Sequence, residues 1–433
     1  MLRYFIFFLG FSFILTQNLS GQETGYSVKI TLDAINDPQL YLTGNLGPKE
    51  YIFDSAKVRK NNTVLFENKN RVLPGGIYRV VNPKGMVYLD FIVDRNRYFS
   101  ISATKEDPWK SAVINGSDEN IAYYQFLKLW HSAGELPEAF INEITGTSPG
   151  SLLAKYLIAK YVPFHYDPVY MPDGITRDTA AEYRYITTHF FDHMDLTDPR
   201  MLRIPVDWQV DVFFTRIVKQ ESDSILREMD RFMTKINNQE MENYFLRYFY
   251  QIFDVGNPEY DAVLVHLYDR YCPENQCEWL DDYSGRRLYR EVQRKRKLLP
   301  GQSVPVLAAY DREHRLHSTE EIKDKHILLW FWDPDCDDCV ELTPVLYDIY
   351  KDYRDEVEVF AVSVTEDYDR WIRLVDEHQW DWINVSYANG EPNYDFVDYF
   401  ELYTTPGIYL LNKHHKIIAR QFPLEQLPGK LEY

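Results

Sequence analysis

Positive charge is in short supply in this sequence of 433 residues. Its 47 lysine and arginine residues are outnumbered by 66 aspartate and glutamate residues, which gives a formal net charge of −19. A protein that binds nucleic acid needs a basic footprint for the phosphate backbone, so this composition argues against nucleic acid as a partner. It favours a soluble protein that repels anionic surfaces.

Long hydrophobic runs are equally scarce. One run, residues 4–15, follows Arg3, ends shortly before Ser20 and Gly21, and is short for a membrane span. This pattern predicts a secretory signal peptide over residues 1–21, with a retained anchor as the alternative. No cysteine follows the run to carry a lipid anchor, and no later segment is apolar for long enough to span a bilayer. We therefore expect a periplasmic protein in an oxidising compartment, where cysteine pairs become disulfides unless they are reduced.

Changes in hydrophobic period predict three folded regions after the leader. Residues 22–115 alternate with a period of two, which predicts an N-terminal antiparallel β-sandwich. The period changes at Ser117, the expected cap of a first helix, and residues 116–299 are predicted to be a central all-α region. Residues 300–433 mix continuous apolar runs with helical segments, so we expect an α/β domain with a mixed sheet.

Two of the four cysteines lie in the stretch FWDPDCDDCVELTP, residues 331–344. Cys336 follows the apolar run HILLWFW, a predicted buried strand, and precedes a helix expected from about Cys339 to Lys351. The start of a helix offers free backbone N–H groups and the positive end of its dipole, both of which stabilise a thiolate. Cys339 lies one helical turn further on, within disulfide reach of Cys336.

With Pro344 and the later stretch YTTPGIYLLN, this region resembles the thioredoxin fold. More specifically, residues 300–433 resemble the exported thiol–disulfide oxidoreductases of the TlpA/ResA type found in Bacteroidetes. The resemblance maps the cis-proline of the family onto Pro406 and the residue before it onto Thr405. It implies that the backbone of Thr405 pairs with the substrate chain. Trp332 is expected to shape the surface near the cysteines, with core packing as its alternative role.

The roles of the two cysteines follow from the resemblance and from exchange chemistry. Cys336 would attack a substrate disulfide, and Cys339 would resolve the mixed disulfide. The partners implied are exported proteins that carry disulfides and a membrane reductant that recycles the pair. No cofactor is expected.

The rest of the chain also shows resemblances. The stretch from residue 41 to residue 68 is similar to DUF4369, a β-domain common in exported thioredoxin-like proteins of Bacteroidetes. The stretches HFFDHMDLTDPRMLRIP and DAVLVHLYDRYC resemble the helical DUF5106 region, which often follows it. Neither resemblance indicates a substrate.

Two departures from the family pattern bear on the chemistry. Asp335 stands before the first cysteine, where many members have Trp, and Trp330 aligns with the buried carboxylate of thioredoxin. A proton acceptor for Cys339 is therefore not evident. Five acidic residues surround the pair and disfavour a thiolate, so we expect a reducing or slow couple rather than a strong oxidant. They are Asp333, Asp335, Asp337, Asp338 and Glu341.

The other two cysteines, Cys272 and Cys277 in CPENQC, are expected to form a structural disulfide between helices. Free thiols and a second redox pair are alternatives. A zinc site made by all four cysteines is a further alternative, although the two pairs fall in different predicted domains.

Two classes of function are consistent with the sequence. The first is an exported thiol–disulfide oxidoreductase, reductase-type, working through Cys336 and Cys339. The second is a noncatalytic binding or assembly protein whose thioredoxin-like domain is redox-inert.

Overall fold

The computed structural model describes residues 25–161, 164–206, 208–254, 256–387 and 396–432. The predicted signal peptide, residues 1–21, lies outside the described residues. Within the described ranges, no helix has the length and apolarity needed to cross a bilayer. The chain divides into two compact units, the first ending at Ile217 and the second beginning at Val218, so the boundary falls inside the predicted helical region.

The first unit begins with β-structure. Its strands are β1 (Tyr26–Leu32), β2 (Gln39–Leu46), β3 (Lys49–Lys57), β4 (Thr63–Asn68), β5 (Gly76–Val81), β6 (Val87–Val93), β7 (Tyr98–Ala103) and β8 (Val113–Asn115). They form two four-stranded sheets, with the orders β4-β1-β7-β8 and β3-β2-β5-β6.

The alternating apolar residues of these strands account for the core of the two sheets. Val28 and Ile30 of β1 are fully buried, and Phe91 of β6 meets Phe99 of the other sheet with ring centroids 5.4 Å apart. The predicted β-region is thus confirmed, but one pairing is not antiparallel: β1 runs parallel to β7. A period of two reveals a strand but not its partner, so the sequence pattern could not show this.

One short helix lies between β7 and β8, and the other helices of the first unit follow β8. In chain order, these helices are α1 (Pro108–Ser111), α2 (Asp118–Ala133), α3 (Glu138–Thr147), α4 (Leu152–Tyr161), α5 (Thr179–His189) and α6 (Trp208–Val212). The Ser117 side chain accepts a hydrogen bond from the Asn120 backbone N–H and caps α2, as predicted. The helix ends at Gly134, whose φ of 73° lies in the left-handed region that glycine adopts without steric cost.

The second unit starts with four more helices, which confirm the central all-α region. They are α7 (Ser222–Thr234), α8 (Gln239–Phe253), α9 (Asp261–Tyr271) and α10 (Asp282–Lys295). α7 and α8 each bury one face, and Phe232 meets Phe245 edge to face with ring centroids 4.8 Å apart.

The C-terminal part of this unit alternates strands and helices. The elements are β9 (Ala308–Tyr310), β10 (Leu316–Ser318), β11 (His326–Trp332), α11 (Asp337–Tyr353), β12 (Val357–Ser363), α12 (Tyr368–His378), β13 (Ile383–Ser386), α13 (Phe396–Tyr399), β14 (Gly407–Leu411), β15 (Ile417–Arg420) and α14 (Leu427–Leu431). The seven strands form one sheet in the order β10-β9-β13-β12-β11-β14-β15. β11 is parallel to β12 and antiparallel to β14, so the sheet is mixed, as predicted.

The position of β11 within the sheet explains its continuous apolar sequence. Leu328 and Trp330 face one hydrophobic cluster, whereas Leu329 and Phe331 face a second cluster on the other side of the sheet. A strand that is covered on both faces needs apolar residues at every position. The strand therefore ends in the protein interior, and Cys336 lies in the segment that follows it.

The structure differs from the sequence prediction at two places in this domain. β13 was not predicted, because its four residues form no long apolar run. α11 begins at Asp337, not near Cys339, and it continues through Pro344. Cys336 is therefore the residue that caps the helix.

Candidate functional site

A tight turn joins β11 to α11 and presents the first cysteine. The backbone N–H of Cys336 donates to the Asp333 carbonyl at 3.0 Å, and the Asp333 carboxylate accepts from the Asp335 N–H at 2.9 Å. Side chains of Asp commonly stabilise turns in this way. Asp333, which the sequence suggested as part of an acidic surround, therefore also has a structural role.

Cys336 occupies the N-cap of α11. Its Sγ accepts a hydrogen bond from the backbone N–H of Cys339 at 3.2 Å. This N–H is one of the groups at a helix start that have no partner within the helix, and the dipole adds a positive potential at the same place. Because the Cys336 side chain is only partly buried, the sulfur combines access with a hydrogen-bond donor from the start of the helix.

Cys339 has the opposite environment. Its side chain is completely buried, and burial, with a smaller contribution from the nearby Cys336, raises the pKa of the Cys339 thiol to about 12. It is therefore protonated at neutral pH, since burial disfavours the charged form. The two sulfurs thus differ in access, and the raised pKa of Cys339 adds to the contrast between them.

Polar side chains from the sheet and from α11 support the second cysteine. Thr343 donates to the backbone carbonyl of Cys339 at 2.6 Å, and the indole N–H of Trp330 donates to the Thr343 hydroxyl at 3.2 Å. Trp330, which the sequence analysis aligned with the buried carboxylate of thioredoxin, thus interacts with the helix as a neutral donor. Sequence reasoning missed Thr343, although its spacing of four from Cys339 on a helix was a usable signal.

The chain before β14 forms the opposite side of the site. The Thr405–Pro406 peptide bond is cis, and the Cys336 thiol donates to the Thr405 carbonyl at 3.3 Å. This proximity follows from the sheet register, because β14 pairs antiparallel to β11 with Gly407 opposite Phe331. The start of β14 therefore lies at the end of β11, beside the cysteine turn.

Trp332 does not lie on the surface of this site, which corrects the expectation that it shapes that surface. It is 1% exposed and packs edge to face on Trp380 with ring centroids 5.6 Å apart. Its place in the strand explains this, because Trp332 shares a face with Leu328 and Trp330, and that face is covered by helices. The alternative, core packing, describes its position.

An ion pair reduces the negative charge next to the cysteines. Asp335 Oδ1 lies 2.5 Å from Arg370 of α12, and both side chains are about half exposed. An exposed pair of this kind contributes little to stability, but it places a positive charge beside the acidic turn. Nothing in the local sequence indicated this partner, which lies 35 residues further along the chain.

The remaining cysteines form a separate feature. Cys272 and Cys277 form a disulfide, which uses both sulfurs and so leaves no set of four thiolates for zinc. Cys272 caps the C-terminus of α9, where its N–H donates to the Tyr268 carbonyl at 3.0 Å.

Comparison with known proteins places the C-terminal sheet in a known class. Residues 324–417 match a family described as thioredoxin-like, and the mixed sheet with its flanking helices is thus a thioredoxin-like domain. No curated protein matches the chain. The resemblances to DUF4369 and DUF5106 stay predictions.

Several solved structures are similar to part of the chain. One is a domain of a possible thiol-disulfide isomerase from Cytophaga hutchinsonii, with 27% identity over 31% of this chain and 92% of the other, and a TM-score of 0.29. A second is the thioredoxin domain of a thiol-disulfide oxidoreductase from Bacteroides vulgatus, with 24% identity over 31% and 96% and a TM-score of 0.28. A third, a thiol-disulfide oxidoreductase from Bacteroides fragilis, has 24% identity over 30% and 98% and a TM-score of 0.28.

Proposed function

We propose that this protein is an exported thiol–disulfide oxidoreductase that reduces disulfides with Cys336 and Cys339. The observation that carries the proposal is the contrast between the two thiols. Cys336 is accessible at a helix N-cap beside Thr405 and Pro406, whereas Cys339 is fully buried with its pKa raised to about 12. This arrangement supports sequential attack by two sulfurs with different tasks.

The reaction proceeds in two exchange steps. The Cys336 thiolate attacks one sulfur of a substrate disulfide, a mixed disulfide forms, and the first substrate sulfur leaves as a thiolate. Cys339 then loses its proton and attacks the Cys336 sulfur, so the Cys336–Cys339 disulfide forms and the second substrate sulfur leaves. Two electrons pass to the substrate, and a reductant outside this chain must return them.

In this proposal, the loop before β14 positions the substrate. Thr405 and Pro406 are partly buried, and the Thr405 carbonyl is in contact with the attacking sulfur. We assign the Thr405 backbone to pairing with an extended segment of the substrate, as in strand addition to a sheet. Trp332 has no part in this contact, because its side chain lies in the core.

The reducing direction rests on the burial of Cys339. A reduced pair gains stability when its thiols ionise readily, and a buried thiol does not. The disulfide is then favoured relative to the ionised dithiol, which describes a couple that donates electrons. The acidic turn acts in the same direction, although the Arg370 ion pair with Asp335 offsets part of its charge.

Export, location and partners complete the proposal. The leader predicted over residues 1–21 supports a periplasmic location, in which a membrane reductant would recycle the pair and exported disulfide proteins would be the clients. The DUF4369-like and DUF5106-like regions belong to the same proposal and indicate no client.

The test is reduction of insulin with dithiothreitol as electron donor, measured for the wild type and for Cys336→Ser. We expect the wild type to accelerate reduction above the uncatalysed rate and the variant to fall to that rate, because serine cannot form a mixed disulfide. A wild type without activity, or a variant with full activity, would contradict the proposal and favour the noncatalytic binding protein.

A further inference from the structure

A cavity of about 320 Å³ opens in the first unit, which contains none of the cysteines. It lies between strand β6 and the helices α1, α2 and α4, in a part of the chain to which the redox proposal gives no task. Pockets for small ligands begin at about this volume. The chemistry of its lining shows which ligand it fits.

Aromatic side chains form one wall. Trp109 of α1 stacks on His131 of α2 with ring centroids 4.7 Å apart, and Trp130 meets Tyr161 of α4 edge to face at 5.1 Å. Leu127 lies on the same lining. Such a wall suits an apolar or aromatic group of a ligand.

A carboxylate lies on the strand side. Asp90 of β6 accepts a hydrogen bond from the Tyr123 hydroxyl at 3.0 Å, and burial raises the pKa of its carboxyl. A carboxylate has room for about four hydrogen bonds, so Asp90 can accept more than this one. The nearest strand neighbour with a positive charge, Arg79, lies opposite on β5 and reaches Glu50 at 3.6 Å.

An ammonium group lies on the helix side. Lys160 donates to the Tyr156 hydroxyl at 2.8 Å, and its nitrogen lies over the rings of Tyr156 and Tyr161 at 5.1 and 5.2 Å. These contacts hold the side chain at the cavity, while burial lowers the pKa of the ammonium group. Lys160 and Asp90 line one cavity, and their opposite charges attract each other, although within the described residues no ion pair joins them directly.

Three tyrosine hydroxyls of the lining are already engaged. Tyr123 donates to the Asp90 carboxylate, Tyr124 donates to the Asp90 backbone carbonyl at 2.9 Å, and Tyr156 accepts from Lys160. Recognition of a sugar would need several uncommitted donors and acceptors. The charged groups of the lining are one carboxylate and one ammonium group, and His131 is the further titratable side chain apart from the tyrosines.

We propose that this cavity binds a zwitterionic small molecule, an α-amino acid with an apolar side chain. Its ammonium group would pair with Asp90, its carboxylate would pair with Lys160, and its side chain would pack against Trp109 and Trp130. Each charge of the protein would thereby gain a hydrogen-bonded partner of opposite sign, in place of the longer-range attraction that links Asp90 with Arg79 and Lys160.

Calorimetric titration of the full chain with three related probes tests this assignment. L-Phenylalanine carries both charges, 2-phenylethylamine lacks the carboxylate and 3-phenylpropanoate lacks the ammonium group. We expect L-phenylalanine to bind, and each analogue to bind roughly tenfold more weakly or worse, because each forfeits a charge-assisted hydrogen bond.

Two variants assign the charges to their residues. Lys160→Met keeps the length of the side chain and should remove the preference for L-phenylalanine over 2-phenylethylamine. Asp90→Asn keeps an acceptor for Tyr123 and should remove the preference over 3-phenylpropanoate. Lys128→Met, at an exposed position of α2 outside the cavity lining, is the matched control and should change none of the three affinities.

Four results would overturn the proposal. The first is that L-phenylalanine binds no more tightly than the two analogues, and the second is that its affinity is unchanged in both cavity variants. The third is saturable binding of methyl glucoside. The fourth is that none of L-phenylalanine, L-tryptophan and L-leucine shows saturable binding in the millimolar range. Thermal unfolding of each variant checks that the first unit is folded.

Discussion

One cysteine pair of this chain lies at the C-terminal end of a helix, and the other lies at the N-terminal end of a different helix. Cys272 caps the C-terminus of α9 and is joined to Cys277, whereas Cys336 caps the N-terminus of α11 and has a free thiol. A helix C-terminus places partial negative charge near a sulfur, and an N-terminus places partial positive charge and free N–H groups there. The two pairs therefore differ in the helix end at which they lie, more than in the number of residues between their cysteines. The N-terminal position suits thiol–disulfide exchange, and the C-terminal position suits the closing of a loop.

The largest effect should come from removing the resolving cysteine. Cys339→Ser leaves Cys336 able to attack but unable to release its substrate, so the mixed disulfide should accumulate and turnover should stop. Incubation with a disulfide-bearing protein, followed by non-reducing electrophoresis and mass spectrometry, would show the adduct on Cys336.

Cys277→Ser is the matched control for this trap. It leaves Cys272 as a free thiol, but this thiol is buried at a helix C-terminus, so a stable adduct should not form there. Equal trapping on Cys272 would break the comparison between the two helix ends.

The next effect is on pH dependence. Burial is the main cause of the raised pKa of Cys339, and it persists in the mixed disulfide, where Cys336 has no charge. Below that pKa the thiolate fraction of Cys339 rises about tenfold per pH unit, so the lifetime of the mixed disulfide should fall steeply between about pH 7 and pH 9. Acid quenching at set times measures this lifetime.

A lifetime that does not depend on pH would show that Cys339 ionises readily in the mixed disulfide. The effect of burial on the pKa of Cys339 would then have no role in the second step. The order of attack would have to rest on access alone.

Much of this site followed from the sequence because it is local. The apolar run of β11 and the C-x-x-C that follows it predicted the strand and the position of the cysteines between a strand and a helix, and the resemblance assigned Thr405 and Pro406. For Trp332 the sequence left a surface role and core packing open, and alternation along the strand, which puts it on the buried face of Trp330, favours core packing. The approach of the Thr405 carbonyl to Cys336 depends on the pairing of β14 with β11, which only the folded sheet specifies.

Other features lay beyond local patterns. The pairing of Asp335 with Arg370 joins a turn to a helix far along the chain, and the parallel pairing of β1 with β7 depends on the whole sheet. The cavity around Asp90 and Lys160 assembles residues from a strand and three helices that carry no shared motif. Tertiary packing decides each of these.

Removal of the structural disulfide should affect stability but not exchange. Cys272→Ser with Cys277→Ser opens a loop of six residues, for which chain entropy gives a loss of about 2 kcal/mol. Urea unfolding measures the loss, and the insulin assay should give the wild-type rate. A loss of exchange activity in this double variant would mean that Cys272 and Cys277 also take part in the chemistry.

The smallest effect should come from the acidic turn. Asp335→Asn removes one negative charge and leaves Arg370 without its partner, so the thiolate of Cys336 should gain stability and the couple should become slightly more oxidising. An exposed pair contributes less than about 1 kcal/mol, so the equilibrium with glutathione should move by no more than about fivefold.

Asp348→Asn provides the control, because Asp348 forms a similar exposed ion pair with Lys351 at 2.7 Å near the other end of α11. That end lies beyond the reach of a screened charge on Cys336, so the glutathione equilibrium should not move. If both variants shift the equilibrium equally, net charge alone would be responsible. If only Asp335→Asn shifts it, the charge at the helix start tunes the exchange, which is the property that distinguishes the two cysteine pairs.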